Sequence, residues 1–145
     1  MRIATIGFTQ STAESFFGRI RESGLRLVVD VRVHNRSQLA GFAKVPDIGY
    51  FLETICGVKY IEEPLLAPEE GSVADYRAKR LAWDEFAARY RSLLDERQAI
   101  THLDLARYAP GAILLCSEPA PERCHRRLAA DYLAEHWGDV AVEHL

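Results

Sequence analysis

No stretch of this sequence approaches the roughly 20 consecutive apolar residues that a bilayer-spanning helix needs, so no membrane partner is expected. Cysteine is scarce. Cys56, Cys116 and Cys124 are odd in number and irregular in spacing. That excludes the disulfide framework of a small secreted domain and fits a reducing cytoplasm, where any disulfide is transient. The opening residues, MRIATIGF, turn polar too soon for a signal peptide. Gly-rich phosphate loops are missing: TIGF carries one glycine, well short of G-x-x-x-x-G-K or G-x-G-x-x-G. Neither a G-x-S-x-G nucleophile elbow nor a C-x-x-C redox pair occurs, and there is no repeat or low-complexity segment. Excess positive charge is missing too. With 18 basic and 21 acidic residues the formal net charge is −3. This argues against a surface that grips nucleic acid all over, while leaving room for a local basic patch.

What is present is the composition of a globular domain, 48% apolar and 27% charged. A chain of 145 residues has the size of one compact domain, so residues 1–145 are expected to fold as a single unit. RIATIGF reads as a buried strand that stops at Gly7. Ser11 or Thr12 can cap a helix after it, with Glu14 in the first turn, Phe16, Phe17 and Ile20 on an apolar face, and Gly24 at the end. LRLVVDVR is too apolar to be half-exposed and reads as a second buried strand. This strand–helix–strand order predicts a right-handed crossover into a parallel sheet.

Residues 33–49 are polar, with Gly and Pro, and read as a long loop with room for one helical turn. YFLETICG reads as a short helix ended by Gly57, VKYIEE as a third strand and PLLAPEEGS as a loop. Residues 73–98 carry the strongest helical signal, with Tyr76, Trp83, Phe86, Ala87, Tyr90 and Leu94 at helical spacing. Pairs such as Arg80–Asp84 and Glu85–Arg89 decorate the other face. Because acids and bases alternate there, it reads as a solvated face rather than a nucleic-acid stripe. AILLC is a fourth strand, PERCHRRLAADYLAEHW a helix with Pro121 at its first position, and DVAVEHL a last strand. The expected fold class is α/β: a single layered domain with a mostly parallel sheet flanked by helices.

In open α/β sheets, ligands bind beyond the carboxyl ends of the strands, and three segments are expected to meet there. The first strand delivers Gly7, Phe8, Thr9, Gln10 and Ser11. The second delivers Asp30 and Arg32, with His34, Asn35, Arg36 and Ser37 just beyond. The fourth delivers Cys116, Ser117 and Glu118, and SEPAP then turns the chain toward Cys124, His125 and Arg126. The last three fall in the first turns of a helix, where free N–H groups and the dipole favour an anion and, with a cation nearby, lower a thiol's pKa. Cys124 is thus a candidate nucleophile; the alternative is an inert core cysteine one turn from Leu128. Cys116 can face Cys124 as a redox partner or as a second metal ligand, with His125 and Glu118 completing a set. The C-x7-C-H spacing matches no common zinc signature, so no metal ligand is assigned. Arg32 and Arg36 suit a phosphate or carboxylate, which guanidinium binds in a two-pronged way. Asp30 either pairs near Arg32, orients His125, or is a buried carboxylate held by backbone N–H groups. Glu118 either caps the helix or acts as acid or base. His102, His136 and His144 read as surface or structural residues, and His34 as a second-rank candidate.

These residues resemble, in order and spacing, the family called domain of unknown function 488. That family shows T-I-G-H-S near the start, a V-D-V-R strand end, and a late L-L-C-x-E-x-x-P-x-x-C-H-R block. The matching positions here are Thr5, Ile6 and Gly7; Val29, Asp30, Val31 and Arg32; and Leu114, Leu115, Cys116, Glu118, Pro121, Cys124, His125 and Arg126. Phe8 and Thr9 stand where the family usually has His and Ser, so no role for that His carries over. The loop after Arg32 keeps a Ser (Ser37) and a Phe (Phe42) but lacks the family's Asn beside it. The resemblance implies an α/β fold with the late block at its functional edge, and it implies no reaction.

The reading favoured on these grounds is an enzyme acting on an anionic, phosphate- or nucleotide-like substrate. Cys124 or Cys116 would supply sulfur chemistry, and His125 or Glu118 would move protons. Arg32, Arg126, Asp30, Arg36 and Gly7 would form the substrate-binding edge. One alternative is a non-catalytic module that binds nucleic acid or a phosphorylated ligand, kept open by Arg36, Lys44 and the Arg-rich helix. A second alternative is a metal-binding protein. No cofactor and no oligomeric state follow from the sequence.

Overall fold

Successive residues of a strand point to opposite faces of its sheet. In the computed structural model, which describes residues 1–118 and 120–145, the central strands use both faces for core. In β4 (Ala112–Cys116) every residue is buried; Ala112 and Leu114 enter one core, Ile113 and Leu115 the other. In β1 (Arg2–Gly7) and β2 (Leu27–Asp30) the residues divide likewise, Ile3, Leu27 and Val29 to the first core, Ala4, Ile6 and Val28 to the second. Strands buried on both sides require helices on both faces, the setting of a parallel sheet. Among the described residues the sheet has five strands in the order β3-β2-β4-β1-β5, and every pairing is parallel. The two edges, β3 (Lys59–Glu62) and β5 (Ala141–His144), are short and partly exposed. β4 fills a slot between β1 and β2, so the first crossover skips one strand position.

One face is covered by α1 (Ala13–Ser23) and α2 (Asp47–Phe51) together with a 3-10 turn over Gln38–Ala43. α1 starts where Thr12 accepts the Ser15 N–H (3.1 Å) and stops at Gly24, whose φ of 73° a side chain would resist. The other face is covered by α4 (Trp83–Glu96), the short α5 (Ala99–His102) and α6 (Leu105–Tyr108), and α7 (His125–Trp137). The chain therefore leaves β2 toward one face and β4 toward the other. These strands are neighbours, so their loops part and a crevice opens at their carboxyl ends.

The regions around the sheet depart from expectation in three places. Residues 73–98 are not one helix but two, α3 (Glu70–Arg77) and α4, joined by a bend with Lys79 at φ 61°. Tyr76 lies 5.3 Å from Phe86, whereas ten residues of straight helix would separate them by about 15 Å along the axis. Seven-residue spacing survives the bend, so periodicity could not reveal it. Arg80 consequently pairs with Asp75 across the bend (3.1 Å) rather than with Asp84. α7 begins at His125, not at Pro121: the Cys124 N–H closes a turn on the Pro121 carbonyl (3.3 Å), and Cys124 itself is extended. The helix expected over 50–57 begins at Asp47 and ends in a π turn over Leu52–Cys56, with Gly57 as the left-handed stop. Pro119, part of the expected SEPAP turn, lies outside the described residues.

Candidate functional site

Cys116 ends β4 on the face covered by α4 and α7. Its sulfur lies 3.5 Å from His125 Nδ1 and 3.8 Å from Nε2. His125 Nε2 is 2.8 Å from the Val31 carbonyl, which can only accept, so Nε2 carries the proton and Nδ1 is the nitrogen left for the sulfur. The ring packs at a steep angle against Tyr90, whose hydroxyl donates to the Leu66 carbonyl (2.7 Å). Burial pushes the Cys116 thiol up, but the Cys124 thiol and the Ser117 and Glu118 N–H groups donate to its sulfur and Arg126 adds positive charge, so its pKa falls below the ordinary value. Holding that bond to Cys116 pushes Cys124 well above the ordinary thiol range, and burial pushes it further. Of the two candidate nucleophiles, Cys116 is the one whose pKa is lowered, by its hydrogen-bond donors and the charge of Arg126. Cys124 sits at the N-cap of α7 as its donor.

These groups open on a cavity of about 60 Å3. Cys116, Cys124, His125, Ser117 and Glu118 line it from one side, Arg32 and His34 from the β2 loop, and Tyr76, Trp83 and Phe86 from the bend between α3 and α4. A shallower groove of about 640 Å3 adjoins it, sharing Val33, His34, Arg77 and Ser117 and running past Asn35, Arg36 and Leu39.

Asp30 and Arg32 form a buried ion pair, their side chains 0% and 1% exposed. The Asp30 carboxylate accepts from the Arg32 backbone (3.1 Å), Nε (2.9 Å) and Nη2 (2.8 Å), from the Tyr60 hydroxyl (2.5 Å) and from Asn35 (3.3 Å). Asp30 thus anchors Arg32; His125 is oriented instead by the Val31 carbonyl, on the opposite face of the strand. Arg32 Nη2 also donates to the Ala43 carbonyl (2.8 Å), and its guanidinium lies 5.3 Å from the Phe8 ring centre. Nη1 of Arg32 is buried without a partner among the described residues.

Other expected site residues are placed away from the cavity. Arg126 is fully buried; it donates to the Glu118 carbonyl and to Thr5 Oγ1 (3.3 Å), bracing the loop after β4 from beneath. Gly7 leaves room for that loop: a Cβ there would run into the Glu118 carbonyl and Arg126 Nη1. Arg36 lines the groove and lies 3.6 Å from Glu62, largely exposed. Arg77 and Arg123 line the cavity, as do Tyr76 and Trp83, and none was singled out as a site residue. Arg123 was within reach of sequence reasoning, since it precedes Cys124 in the late block. Arg77 and the aromatic wall were not, because only the bend at Lys79 turns them to the sheet edge.

An α/β domain with a cysteine at the end of its middle strand, a histidine and a second cysteine at the head of the following helix, and a crevice between diverging loops defines the class. Residues 12–133 match the family described as Domain of unknown function DUF488, and the chain belongs to that family. The matched span holds the Asp30–Arg32 pair and the whole Cys116–Arg126 block, while β1 precedes it. No curated protein and no solved structure matches the chain. Among the described residues, no helix is long and apolar enough to cross a membrane.

Proposed function

We propose that this protein is an enzyme acting on an anionic, phosphate- or nucleotide-like substrate, with Cys116 as the nucleophile. The observation that carries the reading is the position of Cys116: it lines the cavity and its sulfur has His125 Nδ1 at 3.5 Å. Cys116 passes its proton to His125, and the thiolate attacks the electrophilic centre of the substrate. Glu118, at the rim, exchanges a proton with the leaving group or water. Arg77 and Arg123, at the cavity wall, hold the anion.

Size supports the division of labour. A cavity of about 60 Å3 takes roughly four to six water-sized groups at ~10–15 Å3 each, enough for a tetrahedral oxyanion and too little for a nucleobase. The body of the substrate then lies in the adjoining groove, along Arg36 and the exposed Leu39.

The test is alkylation of the reduced, metal-free protein with iodoacetamide at neutral pH, followed residue by residue by mass mapping. Cys116 is expected to react faster than free cysteine and to be protected by inorganic phosphate, and Cys124→Ala, which loses the S–H donor, to react more slowly at Cys116. A Cys116 rate no faster than free cysteine, with no protection by phosphate, sinks the proposal.

A further inference from the structure

Chain spacing argues against a metal site here, but the tertiary arrangement does not. One ligand atom from each of Cys116, Cys124 and His125 lies within 4.8 Å of the others. In a tetrahedral zinc site, with Zn–S of about 2.3 Å and Zn–N of about 2.05 Å, a sulfur and a nitrogen ligand stand about 3.6 Å apart, and two sulfurs about 3.8 Å. Cys116 Sγ and His125 Nδ1 are 3.5 Å apart already. The Cys124 sulfur is at most about 1 Å beyond the ~3.8 Å sulfur–sulfur edge. The remaining nitrogen of His125 is bound to the Val31 carbonyl (2.8 Å), the outer contact that fixes the tautomer and ring direction of a metal-ligating histidine.

We propose that Cys116, Cys124 and His125 bind a thiophilic divalent cation of the zinc class, leaving its fourth coordination position open to the cavity. The chemistry balances. Two thiols lose their protons to solvent, two thiolates and one neutral imidazole donate electron pairs, and the dication is neutralised by the two negative sulfurs. Three protein ligands with an open position toward a cavity are the arrangement of catalytic rather than structural zinc. The three donors are buried or nearly so, and all three line the cavity, which gives the cation its route of entry and the open position its exogenous ligand. This site does not depend on Cys116 being a nucleophile: the cation occupies the same sulfur, so the loaded and the alkylatable states exclude one another.

The experiment uses the full chain, reduced and stripped of metal, titrated with Co2+ and then with Zn2+. Expected are one Co2+ per chain with a tetrahedral, thiolate-ligated visible spectrum, its displacement by one equivalent of Zn2+, and protection of Cys116 and Cys124, but not Cys56, from iodoacetamide. Cys116→Ser and Cys124→Ser should each weaken Co2+ binding by about 100-fold or more, at least the upper effect of losing an outer contact. Protection of the two cysteines is read on the unmutated chain, so a variant that fails to fold leaves the test intact. A six-coordinate cobalt spectrum, or equal labelling of Cys116 and Cys124 with and without metal, overturns the proposal. Phosphate protection of the metal-free thiol, described above, is a separate readout, so either reading can fail while the other stands.

Discussion

Replacing Asp30 by asparagine keeps the outline of the side chain and removes one charge from a pair that is 0% and 1% exposed. Arg32 stays charged in the folded protein because the bonds from Asp30 outweigh the desolvation of its guanidinium. At an effective dielectric constant of 20, two charges 4 Å apart attract by about 4 kcal/mol. Breaking a buried pair by removing one partner costs about 3–5 kcal/mol, because the other charge is left uncompensated. The amide also turns an N–H toward groups that now donate to the carboxylate: Arg32 Nη2, the Tyr60 hydroxyl or Asn35. We predict that D30N loses about 3–5 kcal/mol in urea unfolding, followed by the fluorescence of Trp83 and Trp137, and that its Tm falls by roughly 6–20 °C. Adding Arg32→Met to D30N removes the stranded charge, and the double variant should be more stable than D30N alone. A D30N loss within about 1 kcal/mol, the range of an exposed pair, or a double variant less stable than D30N, would refute the claim that Asp30 neutralises Arg32.

Gly7→Ala is predicted to destabilise the protein by about 1–3 kcal/mol through overpacking, since its Cβ meets the Glu118 carbonyl and Arg126 Nη1. Because that contact displaces the loop that follows Cys116, alkylation of Cys116 should also slow; wild-type stability together with a wild-type alkylation rate would count against it. At alkaline pH the native state should weaken. Tyr60, Tyr90, Tyr108 and Cys124 all have pKa values raised by the fold, so the unfolded chain loses protons there first and stability falls with rising pH. Their contribution is complete below the ordinary values of 9.0 for the thiol and 10.0 for the phenols, and a Tm that stays flat or rises between pH 8 and 11 would contradict the burial of these groups.

The strands and their class were legible because central parallel strands announce themselves as short unbroken apolar runs: RIATIG, LVVD and AILLC are all strands, and α1 has its expected cap and stop. Helix boundaries were less legible. Tyr76, Trp83 and Phe86 keep helical spacing across a bend that only Lys79, in the left-handed region, betrays. Pro121 suits a first helical position but closes a preceding turn instead. Residues 99–111 hold α5 and α6, each of four residues and too short for periodicity to register.

The sequence by itself determined the layered α/β class, the family, and the convergence of the β2 and β4 ends, because apolar runs and strand-end polar residues are local features of the chain. It could not rank the two cysteines, choose the partner of Asp30, or turn Arg126 from a ligand-binding group into a buried brace. Those outcomes depend on which side of a strand a residue faces and on what packs there. Cys116 shares its face with Ala112 and Leu114, and so meets His125 and Cys124. Asp30 shares its face with Val28, and so meets Tyr60 and Arg32. A two-residue alternation is written in the sequence, but which helix covers each face is decided only when the whole sheet is assembled.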